Sequence, residues 1–371
     1  MIDKKRHAPD FIIFFATFAL ISIGTIMVFS SSAYTSLVDA RIGDQYFFLR
    51  AQFRNLLIGF AVLIIAMNVH YKILYKLATP ILLIALVLLG ITAFMGEVAG
   101  GAGRWIGFAG IRFQPSEIAK LAIVIFVAKS LYLNRKYLKD FWIGLMPQLI
   151  ILGTVFGLVM AQPDLGTAVV IAGTVFLLWA VAGIRMSHLG GIALAGVAVV
   201  AALIIQAPYR MNRITAFLNP YEDPLGAGFQ AIQSQLALGS GGLFGMGLGQ
   251  GRQKLFYLPE QHTDFIFAIL GEELGFVGAT LVLALFVLFA WRGFKIALNA
   301  PDYFTSLLAA GITIMISFQA LLNIGVVTGA LPITGITLPF ISYGGTSLIF
   351  TMAGVGVLLG ISRYTKKSTE S

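Results

Sequence analysis

Long apolar stretches with almost no charged residues recur along the whole of this chain of 371 residues. A helix needs about 20 consecutive apolar residues to cross the hydrocarbon core of a bilayer. The sequence therefore predicts about ten membrane-spanning helices, at 11–32, 55–69, 77–95, 118–133, 143–160, 165–184, 188–207, 265–291, 303–327 and 338–361.

The composition agrees with a helical membrane protein and excludes other classes. Hydrophobic residues make up 58% of the chain and charged residues 11%, whereas soluble domains carry about 25% charged residues. A soluble enzyme and a disordered chain are therefore excluded, and an outer-membrane barrel would show alternating strands instead of long apolar runs. The chain has no cysteine, so disulfides, thiolate metal sites and a cysteine nucleophile are excluded too.

The expected fold class is an all-α polytopic membrane protein in which residues 1–371 form a single integral membrane domain. Ten spans put both termini on one side, and most lysines and arginines outside the spans fall on that side. The positive-inside rule places that side in the cytoplasm. The net charge of +9 then reflects topology, and we expect no nucleic-acid partner. One long extracytoplasmic loop, 208–264, connects the seventh and eighth spans.

Charged residues inside the predicted spans are the first candidates for function, because ionisable groups are costly in a bilayer. Glu117 and Lys120 lie three residues apart, so they share a helix face and can pair. Such a pair either fixes helix packing or lines a cavity that positions a polar substrate. Glu272 and Glu273 lie within a later span.

Two aspartates lie at the predicted outer rim of the membrane. Asp164 precedes the span that starts at Leu165, where it can cap the helix or contact a ligand. Asp264 ends the long loop, where partial loss of hydration would raise its pKa and improve it as a general base; a plain helix cap is the alternative. Glu272 would lie about 12 Å deeper along the same helix.

Other polar residues carry weaker signals. Gln319 and Asn323 share one helix face, and the segment 339–347 combines small polar residues with paired glycines. That composition indicates a helix that packs closely or breaks, and broken helices occur only where the backbone lines protein or a cavity. The outer side carries a diffuse set of arginines that suits an anionic lipid head group: Arg50, Arg54, Arg104, Arg112, Arg210 and Arg213.

Six motifs, in order along nearly the whole chain, make the sequence resemble the SEDS family (shape, elongation, division and sporulation), whose members include RodA, FtsW and SpoVE. The subgroup that it resembles is FtsW or SpoVE more than RodA. The motifs are FQPSEIAK (113–120), AQPDLG (161–166), NPYEDPLGAGFQAIQS (219–234), SGGLFGMGLGQGRQK (240–254), LPEQHTDFIFAILGEELG (258–275) and LPFISYGG (338–345).

The resemblance implies a peptidoglycan glycosyltransferase that polymerises lipid II at the outer face of the bacterial cytoplasmic membrane, for division, elongation or sporulation, and releases undecaprenyl diphosphate. The essential aspartate of the family falls on Asp264, and its conserved cavity residues fall on Glu117, Lys120 and Asp164. The implied partners are a class B penicillin-binding protein, which is a transpeptidase, and other membrane proteins of the divisome or elongasome.

The chemistry of such a reaction agrees with the residues. A sugar hydroxyl must lose a proton as it attacks, and Asp264 can accept that proton. The departing diphosphate needs positive charge, for which Arg112, Arg210 and Lys120 are the candidates, with a bound divalent cation (Mg²⁺ or Mn²⁺) as a further source. Glu272 is a further candidate substrate contact.

Two other functions stay open from the sequence. A transporter that flips lipid II across the membrane would also show intramembrane charges such as Glu117, Lys120 and Glu272. An enzyme needs its essential carboxylate at the outer rim, whereas a flippase depends on charges deeper in the path. A scaffold that only recruits a transpeptidase would have no individually essential polar residue.

Overall fold

The computed structural model describes residues 7–99, 102–108, 111–255 and 257–365, with the backbone alone at 97–99, 102, 108 and 111–112. Within these ranges the chain forms twelve α-helices and a small antiparallel sheet. The helices are α1 (Phe11–Val38), α2 (Phe47–Asn68), α3 (Tyr71–Met95), α4 (Pro115–Leu133), α5 (Met146–Met160), α6 (Leu165–Val181), α7 (Met186–Ile205), α8 (Pro208–Leu218), α9 (Phe229–Gly241), α10 (Ile266–Leu298), α11 (Tyr303–Val327) and α12 (Gly345–Ser362).

Each of the ten predicted spans coincides with a helix, so the chain is an all-α polytopic membrane protein. Among the described residues, eight helices are long and apolar enough to cross a membrane, counting α5 together with the π-helical turn Phe141–Leu145 before it. The other two are α6, which has 17 residues, and α4, which carries Glu117, Lys120 and Lys129 along its length.

The boundaries of two helices differ from the predicted spans for physical reasons. Helix α2 begins at Phe47 instead of residue 55, because its first two turns carry Arg50 and Arg54 and are too polar to register as an apolar span. Helix α12 begins only at Gly345. The residues before it, 331–344, are not helical, and Phe340 there has φ +68°. The predicted helix break in this region is confirmed.

Two connections between the spans contain regular structure that hydropathy did not predict. The long loop 208–264 includes α8 and α9. The segment between α3 and α4 forms three antiparallel strands, β1 (Glu97–Ala99), β2 (Ala102–Phe108) and β3 (Ile111–Phe113). The register pairs Glu97 with Trp105 and Ile106 with Phe113. The sheet folds the segment back on itself, so residues that are distant from the α5–α6 turn in sequence approach it in space.

Both ends of the described chain lie on one face of the bundle. The backbone N–H of His7 donates to the carbonyl of Arg363 (2.9 Å), and Arg292, near the end of α10, pairs with Asp10 (2.7 Å). We call the opposite face, where α10 begins, the distal face. It carries the sheet, the turn 161–164 and the non-helical segments 260–264 and 331–344.

Helices α11 and α12 form the buried centre of the bundle, since they are covered along most of their length. Helix α7 is the opposite case: Leu189 is its one buried residue. Helix α1 crosses the segment 331–344 at Gly24. A Cβ built on Gly24 would lie 2.5 Å from both Ile341 Cα and the carbonyl oxygen of Phe340. This close backbone approach requires glycine.

We predict that Gly24→Ala destabilises the protein, because the added methyl meets backbone atoms that cannot move aside. Overpacking of this kind costs about 1–3 kcal/mol. The matched control is Gly153→Ala in α5, where nothing lies within 4 Å of the added Cβ. Thermal unfolding in detergent should show a lower midpoint for Gly24→Ala and no loss for Gly153→Ala. Equal midpoints for the two variants would contradict the close crossing.

Candidate active site at the distal face

Asp264 lies at the distal face, two residues before α10, and its position is fixed through its backbone. Its carbonyl oxygen accepts a hydrogen bond from the Asn323 side chain on α11 (2.8 Å). The same amide nitrogen donates to the carbonyl of Ile336 (2.7 Å). Asn323 therefore joins the segment that contains Asp264 to the non-helical segment 331–344.

Further backbone contacts hold the two non-helical segments together. The hydroxyl of Ser342 donates to the carbonyl of Thr263 (2.6 Å), and the backbone N–H of Tyr343 donates to the carbonyl of His262 (2.9 Å). Non-helical backbone at membrane depth is tolerated only where such groups find partners within the protein. Each segment thus supplies partners that the other requires.

The Asp264 carboxylate is half-buried and accepts no hydrogen bond from the residues that the structure describes. The capping position of α10 belongs to Phe265, so Asp264 is not the helix cap that the sequence left as an alternative. Its Oδ2 lies beside Gly335, 3.5 Å from where a Cβ on that glycine would be. The carboxylate therefore lies against Gly335, and its oxygens stay available to accept a proton.

The surroundings of Asp264 raise its pKa to about 7. Burial is the largest cause, and the negative charges of Glu260 and Asp164 raise it further, while Arg104 and Arg213 lower it. A carboxyl with a pKa near neutrality is well matched to accept a proton at physiological pH. The shift that the sequence predicted for a carboxylate at the rim is thus confirmed.

Asp164 is buried near Asp264 but its carboxylate is occupied. It caps α6 by accepting from the N–H of Thr167 (3.1 Å) and from the Thr167 hydroxyl (2.9 Å), which confirms the predicted cap. The side chain of Arg104 on β2 lies 3.8 Å from it. Arg104 is anchored by the carbonyls of Gln162 (3.3 Å) and Pro163 (2.6 Å).

Glu117 and Lys120 form the expected ion pair, at 2.8 Å in the buried core. Lys120 also donates to the side-chain oxygen of Gln319 (2.6 Å), and the amide nitrogen of Gln319 donates to the carbonyl of Thr337 (2.9 Å). Gln319 lies one turn before Asn323 on α11. The pair is therefore linked to the same segment, 331–344, that contacts Asp264.

Two other predicted site residues have partners elsewhere in the described structure, and the side chain of a third is not described. The side chain of Arg112 lies outside the described residues. Arg210 faces the end of α7, where it donates to the Tyr209 hydroxyl (2.8 Å) and the carbonyl of Leu203 (2.9 Å). Glu272 accepts from the backbone N–H groups of Arg252 (2.8 Å) and Gln253 (3.3 Å), so its oxygens are used within the protein.

Among the described residues, the cations whose charges lower the pKa of Asp264 are Arg104 and Arg213. Both belong to the set of arginines that the sequence identifies, but nothing in the spacing distinguishes them. Arg104 reaches the site because the sheet folds back toward the turn 161–164, and Arg213 because α8 places it by the carbonyl of Ile333 (3.4 Å).

The donor set at the site fits an anionic group better than a resident metal ion. Within the described residues, no group of three or more histidine, aspartate or glutamate side chains is placed to hold a metal ion by itself. The groups that face Asp264 include two guanidinium ions, which suit phosphate oxygens. A bound Mg²⁺ or Mn²⁺ therefore stays a prediction from the sequence and enters no step below.

Comparison with known proteins decides the family. A family model described as a cell cycle protein, which groups FtsW, RodA and SpoVE, matches residues 11–367. The chain belongs to this family. The resemblance to SEDS proteins that the motifs indicated is thus confirmed.

Relatives and solved structures of this family match over nearly the full length. The chain is 49% identical to stage V sporulation protein E of Bacillus subtilis (strain 168) over 368 residues, which cover 98% of this chain and 100% of that protein. It is 43% identical to the probable peptidoglycan glycosyltransferase FtsW of Geobacter sp. (strain M18), over 97% of this chain and 98% of that protein.

Two solved structures share the fold. One belongs to a peptidoglycan synthase complex that coordinates polymerization and crosslinking, with a TM-score of 0.80, 34% identity, and coverage of 97% of this chain and 99% of that one. The other is the rod shape determining protein RodA of Thermus thermophilus, with a TM-score of 0.72, 30% identity and the same coverage.

We predict that removing one charge of the Glu117–Lys120 pair lowers the stability of the protein more than removing both charges does. Lys120→Met leaves the Glu117 carboxylate buried without its cation, which should cost about 3–5 kcal/mol. The double variant Lys120→Met/Glu117→Gln removes both charges and should regain much of that loss. Unfolding in detergent measures both, and equal losses in the single and double variants would contradict the pairing.

Proposed function

We propose that Asp264 is the general base with which this peptidoglycan glycosyltransferase joins lipid II molecules into glycan strands, at the outer face of a bacterial cytoplasmic membrane. The observation that carries the proposal is a carboxylate at the membrane rim with a pKa of about 7 and no hydrogen-bond donor among the described residues. The names of the relatives and the synthase complex among the structural neighbours support the same activity.

The reaction follows from the geometry around Asp264. The 4-hydroxyl of the acceptor sugar attacks the anomeric carbon of the donor, and its proton passes to the Asp264 carboxylate as the new glycosidic bond forms. The bond between the anomeric carbon and the diphosphate breaks, and the lipid diphosphate leaves with the electron pair. A single displacement inverts the anomeric centre, from an α-linked lipid to a β-linked glycan.

Arg104 and Arg213 are the proposed contacts for the diphosphate in place of Arg210, and Arg112 stays a prediction from the sequence. Charge builds up on the diphosphate as it leaves, and fixed cations stabilise that charge without having to reorganise. Arg104 meets this requirement, because two backbone carbonyls of the turn 161–164 hold its guanidinium. Arg213 is exposed at the same face, where it is open to a lipid head group.

Three buried residues hold the site in position in this proposal and do not contact the substrate: Glu117, Lys120 and Asp164. Lys120 acts on the segment 331–344 through Gln319, and Asp164 fixes the start of α6 beside Arg104. Glu272 is not proposed as a substrate contact, since its oxygens bind loop backbone.

The orientation and partners of the protein complete the proposal. The excess of lysines and arginines on the face of the termini supports a cytoplasmic position for both termini, which places Asp264 at the outer face. The synthase complex among the structural neighbours supports a transpeptidase partner, which we take to be a class B penicillin-binding protein. Other divisome or elongasome partners stay predictions.

The lipid II flippase alternative finds less support in the cavity beside the intramembrane charges. This cavity, lined by Glu117, Lys120 and Gln319 among others, measures about 10 Å³, roughly the room that one water molecule needs. A disaccharide head group does not fit there, and both charges are already paired.

We predict that Asp264→Asn abolishes polymerisation of lipid II by the purified protein. The amide has nearly the same shape and cannot accept the proton, so the rate should fall by at least about a hundred-fold. The fold should persist, because Asn323 binds the backbone of residue 264 and not its side chain. Glycan strands formed from labelled lipid II, with and without the transpeptidase, measure the activity.

The control for this experiment is Glu222→Gln, which removes an exposed carboxylate from the same long loop. It should retain full polymerase activity. Full activity of a folded Asp264→Asn variant would contradict the assignment of Asp264 as the base. No glycan from the wild type, even with the transpeptidase present, would favour flipping, and lipid translocation in liposomes would then be measured.

We also predict a defined pH dependence of the polymerase rate. The base acts only when ionised, so the rate should rise with pH through about 7, the pKa of Asp264, and then level off. Glu260→Gln removes a negative charge that raises this pKa, so the acid limb should move to lower pH. Arg104→Gln should move it to higher pH. Because Glu260 is exposed, high salt should reduce the difference in apparent pKa between Glu260→Gln and the wild type. Identical acid limbs of the pH–rate profile in the wild type and both variants would contradict the assignment of Asp264 as the base.

A further inference from the structure

Helix α10 is broken shortly after the residues that contain Asp264. Gly275 has φ +67° and ψ −168°, which lie outside the helical region. An L residue with a side chain rarely adopts such a φ, so this break requires glycine. The break separates a short first segment, 266–274, from the long remainder of α10.

The backbone groups freed by the break bind the loop that follows α9, which we call the glycine loop (242–254). The N–H groups of Phe276 and Val277 donate to the carbonyls of Gly242 (2.9 Å) and Leu243 (3.1 Å). In the other direction, the N–H of Met246 donates to the carbonyl of Glu272 (2.9 Å). Within a membrane these groups would otherwise lack partners at a cost of several kcal/mol each.

A buried charge pair closes the glycine loop onto the short segment. Glu273 is 0% exposed and Lys254 5% exposed, and their side chains pair at 2.6 Å. The hydroxyl of Ser30 on α1 lies within hydrogen-bond distance of both Glu273 oxygens (2.8 and 2.6 Å) and of the Lys254 ammonium (3.1 Å). The N–H of Gly249 donates to the same carboxylate (3.0 Å).

The next residue of α1 holds the other side of Asp264. The amide of Gln261 donates to the carbonyl of Ser31 (2.8 Å). Helix α1 thus binds the chain three residues before Asp264 and nine residues after it, through neighbouring serines. Any shift of the short segment of α10 relative to α1 has to break one of these contacts.

We infer that the Lys254–Glu273 pair is a positioning pair for the polymerase reaction, which fixes the first segment of α10, and Asp264 before it, against α1. A buried ion pair rarely stabilises a fold more than apolar residues of similar size would. What this pair adds is a fixed register between three elements: α1, the first segment of α10 and the glycine loop. The inference rests on the proposed function of Asp264.

The first test measures the kinetics of lipid II polymerisation by the full-length protein with its transpeptidase. Lys254→Met should lower kcat by about ten- to a hundred-fold, because a displacement of about 1 Å at the reacting atoms costs on the order of 10²-fold in rate. The KM should change by less than about two-fold, since Lys254 does not face the substrate. The matched control is Lys129→Met, which removes a half-buried lysine that binds Thr79 elsewhere in the bundle.

Two further variants separate positioning from folding. The double variant Lys254→Met/Glu273→Gln leaves a neutral amide that can still accept from Ser30 and Gly249, so it should regain most of the kcat. Ser30→Ala keeps both charges and removes the hydroxyl that ties them to α1. It should fold normally and lower kcat by roughly several-fold, which keeps the test open if Lys254→Met does not accumulate.

The second test reports the position of the chain just before Asp264, relative to α1, without using activity. Because the chain has no cysteine, Pro259→Cys and Leu37→Cys, both at exposed positions, provide two unique sites for spin labels. Pulsed electron paramagnetic resonance should give one narrow distance distribution in the parent protein and in Lys129→Met. Lys254→Met and Ser30→Ala should broaden or shift it, and the double variant should narrow it again.

The outcomes distinguish this inference from the proposed function. Normal kcat in both Lys254→Met and Ser30→Ala, or an unchanged distance distribution in variants that lose activity, would overturn the positioning pair while Asp264→Asn stays inactive. An active Asp264→Asn would overturn the function itself, whatever the distance distributions show.

Discussion

The structure depends on one requirement of the bilayer, which is that every backbone polar group at membrane depth must find a partner inside the protein. Two segments that lead into helices, 260–264 and 331–344, are not helical, and turns of their own satisfy only part of their backbone groups. Further partners come from the other segment, through Ser342 and Tyr343, and from the side chain of Asn323. The candidate base lies in one of these segments, so the need for backbone partners also fixes the position of the reactive carboxylate.

Much of this arrangement could be predicted from the sequence, because it follows from local rules. Hydropathy located ten of the twelve helices that the structure describes, since apolar length is a property of each stretch alone. The helix cap at Asp164, the Glu117–Lys120 pair and the break before Gly345 follow from spacings of a few residues. Neighbouring residues on one helix need no knowledge of the fold to be placed together.

The contacts that local sequence rules did not predict join distant parts of the chain. Arg210 was chosen for the diphosphate, yet it binds the end of α7. Arg104 lies at the site because three short strands, which were not predicted, bring it to the turn 161–164. That turn is more than fifty residues away from Arg104 in the sequence. Glu272 was expected to contact the substrate, but its carboxylate accepts a hydrogen bond from the backbone of the glycine loop. This loop packs against α10 at the break at Gly275. None of these outcomes is encoded in a local spacing.

Asp164 and Asp264 show why burial alone does not make a catalytic base. Asp164 and Asp264 lie close enough that the charge of one raises the pKa of the other. The carboxylate of Asp164 accepts hydrogen bonds from Thr167 and lies beside the guanidinium of Arg104. It therefore serves to hold the start of α6. Asp264 receives no such hydrogen bond from the described residues and keeps its lone pairs for a proton. Burial is the main cause of the raised pKa of Asp264, and the negative charges of Glu260 and Asp164 add to it. The same face of the protein therefore carries one carboxylate that holds a helix and one that stays available to react.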